Sequence, residues 1–180
     1  MEKIIKMKNN GGYTLVELIV VILIMAILAT GSIIGFSVIR DSDVESSAKK
    51  LMLMLNRAEQ EAVIREDGSI SMRLYQETDD HYYATIRYYD GTEYTVIYRQ
   101  EIAGSLLKVS VKEDNGTISS TSYINRTAST DPAVITASEK LFYFKKSTGG
   151  LQEYYTDIYI EGSKTVDIVV IRETGRSFIR

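Results

Sequence analysis

The stretch Gly12-Tyr13-Thr14-Leu15-Val16-Glu17-Leu18, running straight into Ile19-Val20-Val21-Ile22-Leu23-Ile24-Met25-Ala26-Ile27-Leu28-Ala29, decides how this chain is read. Lys3, Lys6 and Lys8 precede it, against a single carboxylate at Glu2. From Leu18 to Ile39 no side chain is charged, a run of 22 residues. A helix rising about 1.5 Å per residue needs roughly 20 such residues to cross a hydrocarbon layer of about 30 Å. The lysines lie before the run and none within it. That asymmetry predicts a single membrane pass with the N-terminus inside and the bulk of the chain exported. A cleaved secretory signal is the simpler reading, but its apolar core usually spans only about 7–15 residues and it gains nothing from Glu17.

This order of residues resembles the leader of type IV prepilins and of type II secretion pseudopilins. In that family an inner-membrane aspartic peptidase cuts after the glycine. The same enzyme methylates the new N-terminal amine, and a glutamate five residues into the mature chain is needed for assembly. The resemblance therefore implies cleavage between Gly12 and Tyr13, N-methylation of Tyr13, and a filament-assembly role for Glu17. It divides the chain into a leader peptide at 1–12, a transmembrane and filament-core half of a helix at 13–40, and a globular pilin-like domain at 41–180. Tyr13 departs from the Phe or Met usual at the first mature position, adding a hydroxyl to a ring of the same shape.

The chemistry of Glu17 can be stated from the residues. The nine aliphatic side chains between Leu18 and Leu28 outweigh one carboxylate for insertion, but the charge needs a partner in an apolar setting. Cleavage would create an amine at Tyr13, four residues away on the same helical face. That amine can neutralise its own Glu17 or the Glu17 of an adjacent subunit. The alternative is local: Thr14-x-x-Glu17 is also a capping box, which would place a Glu at the start of any helix. The two roles are compatible.

Beyond the uncharged run, Val44, Ala48, Leu51, Leu55, Ala58 and Ala62 are spaced four, three, four, three, four, with Met52, Met54 and Val63 widening the stripe. This is the signature of an amphipathic helix covering a sheet, over 41–67. Asp67-Gly68 is expected to stop it. A continuous helix from Tyr13 to Asp67 would be on the order of 80 Å long. Gly31 and Gly35 form a Gly-x-x-x-Gly near the outer end of the uncharged run. The pair either lets helices pack closely in a filament core or softens the helix, at about 0.8–1.0 kcal/mol per glycine against alanine.

From Gly68 on, the period switches to two. Ile70, Met72 and Leu74 alternate with Ser71, Arg73 and Tyr75. Asp90-Gly91 and Asp114-Asn115-Gly116 sit between strand-like runs and predict hairpins. Further strands are expected at 141–144, 151–160 and 166–172, and a surface loop at 125–138 around the sole proline, Pro132. The expected fold is α+β, a long N-terminal helix packed on a C-terminal, largely meandering antiparallel sheet region at 68–180. Two further stretches, Leu55 to Arg65 and Phe142-Tyr143-Phe144 with Gly149-Gly150, Val166 to Ile171 and Thr174-Gly175-Arg176, resemble minor pseudopilins of the GspH/FimT type. In this chain Arg57 and Ala58 stand in swapped order relative to that pattern.

Composition narrows the chemistry. The 180 residues include no Cys and one His, His81, so zinc, iron–sulfur, haem and Cys–His or Ser–His–Asp sites lack ligands or depend on that residue. We expect no enzyme, no cofactor and no metal site, and read His81 in Asp79-Asp80-His81 as a solvated turn. The acidic pieces Glu77-Thr78-Asp79-Asp80 and Glu113-Asp114-Asn115 lack the spaced oxygen ligands of a calcium loop. Thirteen tyrosines could form a stacking surface for single-stranded DNA, but tyrosine is also a strand former. A net charge of −3 opposes phosphate binding, and no nucleic-acid partner is expected.

The expected function is a minor pilin or pseudopilin, processed and built into a filament with other such subunits after the peptidase has acted. The expected location is the inner membrane first and then a periplasmic or extracellular filament. A major pilin of the shaft, or an exported membrane-anchored module that binds DNA or another substrate, are the alternatives.

Overall fold

A computed structural model describes residues 13–65, 67–117, 119–125 and 139–180, with side chains of 29–42 outside that description. It is α+β, with one helix, α1 (Leu15–Ile64), and nine strands among the described residues. The chain divides into two compact units, Met1–Val38 and Ile39–Arg180.

In the second unit the strands form two sheets, and every pairing is antiparallel. The first contains β1 (Ser69–Gln76), β2 (Tyr82–Tyr89), β3 (Tyr94–Ala103) and β6 (Lys140–Phe144), in the order β3-β2-β1-β6. The second contains β4 (Lys108–Asp114), β5 (Ser119–Tyr123), β7 (Tyr155–Glu161), β8 (Thr165–Val170) and β9 (Ser177–Ile179), in the order β5-β4-β7-β8-β9. The expected meander is therefore interrupted. After β5 the chain returns to pair β6 with β1, and then goes back to pair β7 with β4. Local turn signals specify the hairpins. They carry nothing about these two long-range pairings, which are decided by where Phe142 and Phe144 are buried, opposite Met72 and Ile70.

The turn chemistry is local and well defined. Asp90 Oδ1 accepts the N–H groups of Glu93 and Thr92 at 3.0 and 2.7 Å, which together with the Thr92 hydroxyl holds its carboxyl down to about 2. At the other hairpin, Asp114 Oδ1 accepts the Gly116 N–H at 3.0 Å.

Alternation along the strands builds the core. Ile70, Met72 and Leu74 of β1, Ala84 and Ile86 of β2, and Phe142 and Phe144 of β6 share one buried face of the first sheet. Val109, Val111, Ile158, Ile160, Ile168 and Val170 make the matching face of the second. Val44, Ala48, Leu51, Leu55, Ala58 and Ala62 of α1 lie in the same buried cluster, none more than 2% exposed. Met54 joins them, whereas Val63 is half exposed and does not widen the stripe. The Arg57 guanidinium lies 3.3 Å from the centre of the Tyr98 ring, and Asn56 Oδ1 accepts the Ser177 N–H and hydroxyl at 3.3 and 3.0 Å.

α1 ends at Ile64 rather than Asp67. Gly68 follows with φ +69°, where a Cβ would meet the Tyr89 carbonyl oxygen at 2.2 Å. The left-handed glycine and its close approach to β2 fix the turn into β1, so the helix must finish before it.

Because the α1 stripe fills this core, Leu55→Ala should destabilise the second unit by about 2–5 kcal/mol in denaturant titration. By the same reasoning, a chain beginning near residue 40 should fold, and one beginning after Gly68 should aggregate because the sheet faces lose their cover. Equal folding of the two truncations by circular dichroism and size-exclusion chromatography would contradict this assignment.

Candidate functional site: the N-terminal helix start

The start of α1 is built by Thr14 and Glu17. The Glu17 carboxylate accepts the Thr14 N–H at 2.9 Å and the Thr14 hydroxyl at 3.0 Å. In return Thr14 Oγ1 accepts the Glu17 N–H at 3.3 Å, and the Leu18 N–H bonds the Thr14 carbonyl at 3.2 Å. This is a reciprocal capping box, which satisfies backbone donors that a helix start leaves open. It also turns the carboxylate toward the helix N-terminus, where the aligned peptide dipoles favour negative charge. Tyr13 lies just outside the helix and is 87% exposed. The box thus brings Glu17 to the helix end at which a new amine on Tyr13 would appear. Gly12 lies outside the described residues. Gly31 and Gly35 fall within α1, but their surroundings are likewise outside the description.

The apolar side chains that follow are exposed among the described residues. From Leu15 to Leu28 every large hydrophobic residue is exposed, from 46% at Val20 to 76% at Leu15. Soluble monomeric proteins rarely leave a large contiguous apolar surface exposed. Among the described residues no helix is long and apolar enough to cross a membrane. The uncharged run that predicts such a span reaches Ile39, and its side chains are described only to Leu28.

Other candidate positions resolve into local contacts. The His81 ring nitrogen Nδ1 lies 2.9 Å from Glu101 Oε1, and the His81 N–H donates to Asp79 Oδ1 at 3.0 Å. That backbone bond is the main cause holding the Asp79 carboxyl below its ordinary value. Glu77 pairs with Arg99 at 2.7 Å and Glu113 with Lys140 at 3.1 Å, so both acidic turns spend carboxylates on cations. Among the described residues no three His, Asp or Glu side chains converge as a metal site.

Two constellations were not read from the sequence. Gly149, Gly150 and Gly175 meet at one place: a Cβ on Gly175 would come within 2.1 Å of the Gly149 carbonyl oxygen, and one on Gly150 within 2.4 Å of the Glu173 carbonyl. On the first sheet, Arg73, Arg87 and Arg99 share the face turned away from the apolar core. Arginines at the outward positions of alternating strands were a signal for the latter; nothing in the sequence says that Arg73 and Arg87 are buried.

Comparison of the whole chain with curated proteins and with solved structures finds no significant match. One family model does match: the prokaryotic N-terminal methylation motif, over residues 7–33. Those residues take in the Gly12–Tyr13 junction, the Thr14–Glu17 box and the exposed apolar helix. The chain therefore carries the N-terminal processing motif of type IV prepilin-like proteins.

Proposed function

We propose that this chain is a structural subunit, not a catalyst. In this reading it is a minor pilin or pseudopilin, cut after Gly12, methylated on Tyr13 and polymerised through α1 into a type IV pilus or type II secretion-like filament. The observation that carries the reading is the contrast along one helix. The large apolar residues from 15 to 28 are exposed, whereas Val44, Ala48, Leu51, Leu55, Ala58 and Ala62 are buried in the hydrophobic core cluster. A helix with an uncovered apolar end needs lipid before assembly and other subunits after it. The fold proposed is pilin-like, a long N-terminal helix whose second half is laid on the sheets. The first half spans the membrane, with the N-terminus inside and the globular unit outside.

In this reading the glycines of the GspH/FimT-like stretches serve packing. Gly149-Gly150 and Gly175 allow two turns to cross in backbone contact beside Glu59 of α1. This supports a subtype reading in which the closing strands lock onto the helix.

Intact mass of the protein extracted from its native membrane should give a chain starting at Tyr13 and heavier by one methyl group. Recovery of chains still carrying residues 1–12 in assembled material would overturn the reading.

A further inference from the structure

We propose that the outer edge of β5 accepts an extended segment of a partner protein as a further strand, with a basic side chain of that segment reaching over Ser120 to Glu113 and Glu153. β5 ends the second sheet: it pairs with β4 on one side, and among the described residues no strand pairs with the other. The Ile124 N–H donates to the Val109 carbonyl at 2.9 Å, while the Asp114 N–H turns away from β5 to the Tyr154 carbonyl at 2.9 Å. Bonding direction alternates along an antiparallel pair. Ser120 and Ser122 therefore face β4, and Ser119, Thr121 and Tyr123 direct their N–H and carbonyl groups outward. All three of the latter are exposed.

Open sheet edges are normally blunted by charge, by irregular pairing or by shortness. β3 carries Arg99 and Glu101 and two irregularities of register. β6 carries Lys140, and β9 is only three residues long, between Arg176 and Arg180. Ser119-Ser120-Thr121-Ser122-Tyr123 has no charge, no proline and a regular register with β4. On such an edge an added strand gains main-chain hydrogen bonds, and pockets beside it select the partner's side chains. Register sets Ser120 opposite Glu113 and Glu113 opposite Tyr155, and these line a cavity of about 330 Å³ with Glu153 and Tyr154. Among the described residues no basic side chain lines it. Lys140 reaches Glu113 at 3.1 Å, yet the Glu113 side chain stays 43% exposed. Glu153 accepts the Tyr143 N–H at 2.9 Å, and burial raises its carboxyl above the ordinary value despite the charge of Arg172. A cation beside it would relieve that cost. Ser120 is short, so a lysine or arginine opposite it on an added strand can reach across to both carboxylates. A second copy of β5 paired about Thr121 would instead set Ser122 opposite Ser120 and leave the cavity unfilled.

The test uses the full chain in nonionic detergent and two fluorescent peptides of alternating threonine and valine, one with a central lysine and one with a central glutamate. Anisotropy should give the lysine peptide a Kd of about 1 mM or tighter, and the glutamate peptide at least tenfold weaker binding. In residue-resolved amide exchange the lysine peptide should slow Ser119, Thr121 and Tyr123 and leave Ser120 and Ser122 little changed. Thr121→Pro removes one outward donor and none that bonds β4, a position at which an edge strand tolerates proline. It should weaken binding at least tenfold. Glu113→Gln should narrow the difference between the two peptides at least threefold, so the test survives if Thr121→Pro misfolds. No binding of the lysine peptide, equal affinity for the two peptides, parental affinity in Thr121→Pro, or protection confined to other amides would overturn the proposal. Protection of the outward amides that grows with protein concentration without peptide would make the occupant a second copy, and would overturn it too. None of these results depends on processing at Gly12, so they do not bear on the filament reading.

Discussion

Glu17→Gln is expected to be exported, cut after Gly12 and retained in the membrane, yet to fall at least about tenfold in sheared filaments. The geometry at the helix start separates two roles for this residue. As a cap, Glu17 accepts from Thr14 through one carboxylate oxygen, and a glutamine can accept the same bonds through its amide oxygen. Loss of the charge alone should therefore leave α1 intact. In the proposed filament role, Glu17 would instead face an amine on Tyr13, its own or a neighbour's, inside an apolar environment. Removing one partner there strands a charge, which costs far more than losing a neutral contact. The comparison variant is Thr14→Val, which removes the hydroxyl from the box and keeps the carboxylate. It should weaken the helix start, typically by about 1 kcal/mol, and leave filament recovery nearer to the parent than Glu17→Gln does. If Glu17→Gln appears in filaments at the parental level, the residue is a helix cap and nothing more.

Gly175→Ala should lower the stability of the globular unit by on the order of 3 kcal/mol, a fall in melting temperature of roughly 6–12 °C for a unit of this size. Two penalties combine. Gly175 has φ +73°, a conformation that costs L residues about 1–2 kcal/mol. Its new Cβ would also lie 2.1 Å from the Gly149 carbonyl oxygen and 3.0 Å from the Gly149 carbonyl carbon. Both are backbone atoms, and Gly149 is itself pressed against Glu59 of α1, so the clash can be relieved only by moving the turn off the helix. Gly116→Ala isolates the first penalty. Gly116 has φ +81° and nothing within 4 Å of the point a Cβ would occupy, so it should cost only about 1–2 kcal/mol. Equal melting temperatures for the two variants would show that the glycine crossing is not a packing constraint.

The helix start was legible because its signal is local: Thr14 and Glu17 are three residues apart in sequence, and the capping bonds that result span that interval. The stripe from Val44 to Ala62 was equally legible, since helical periodicity alone selects which side chains share a face. Hairpins at Asp90-Gly91 and Asp114-Asn115-Gly116 followed from turn chemistry. The short strand β9 gave no such signal, and its three residues are placed by pairing with β8 and by the Ser177 bonds to Asn56.

Tertiary structure alone decided the rest. The splitting of the strands into two sheets depends on β6 finding β1 and β7 finding β4, choices made by long-range burial of Phe142, Phe144 and Ile158. The crossing of Gly149-Gly150 with Gly175 joins turns separated by two whole strands, β7 and β8, and so has no local period. Likewise the sequence places Arg73, Arg87 and Arg99 on outward strand positions, but only strand register sets them around one cavity, and only packing buries two of them. Periodicity and turn propensity act within a few residues. Register and burial are settled by the whole unit at once.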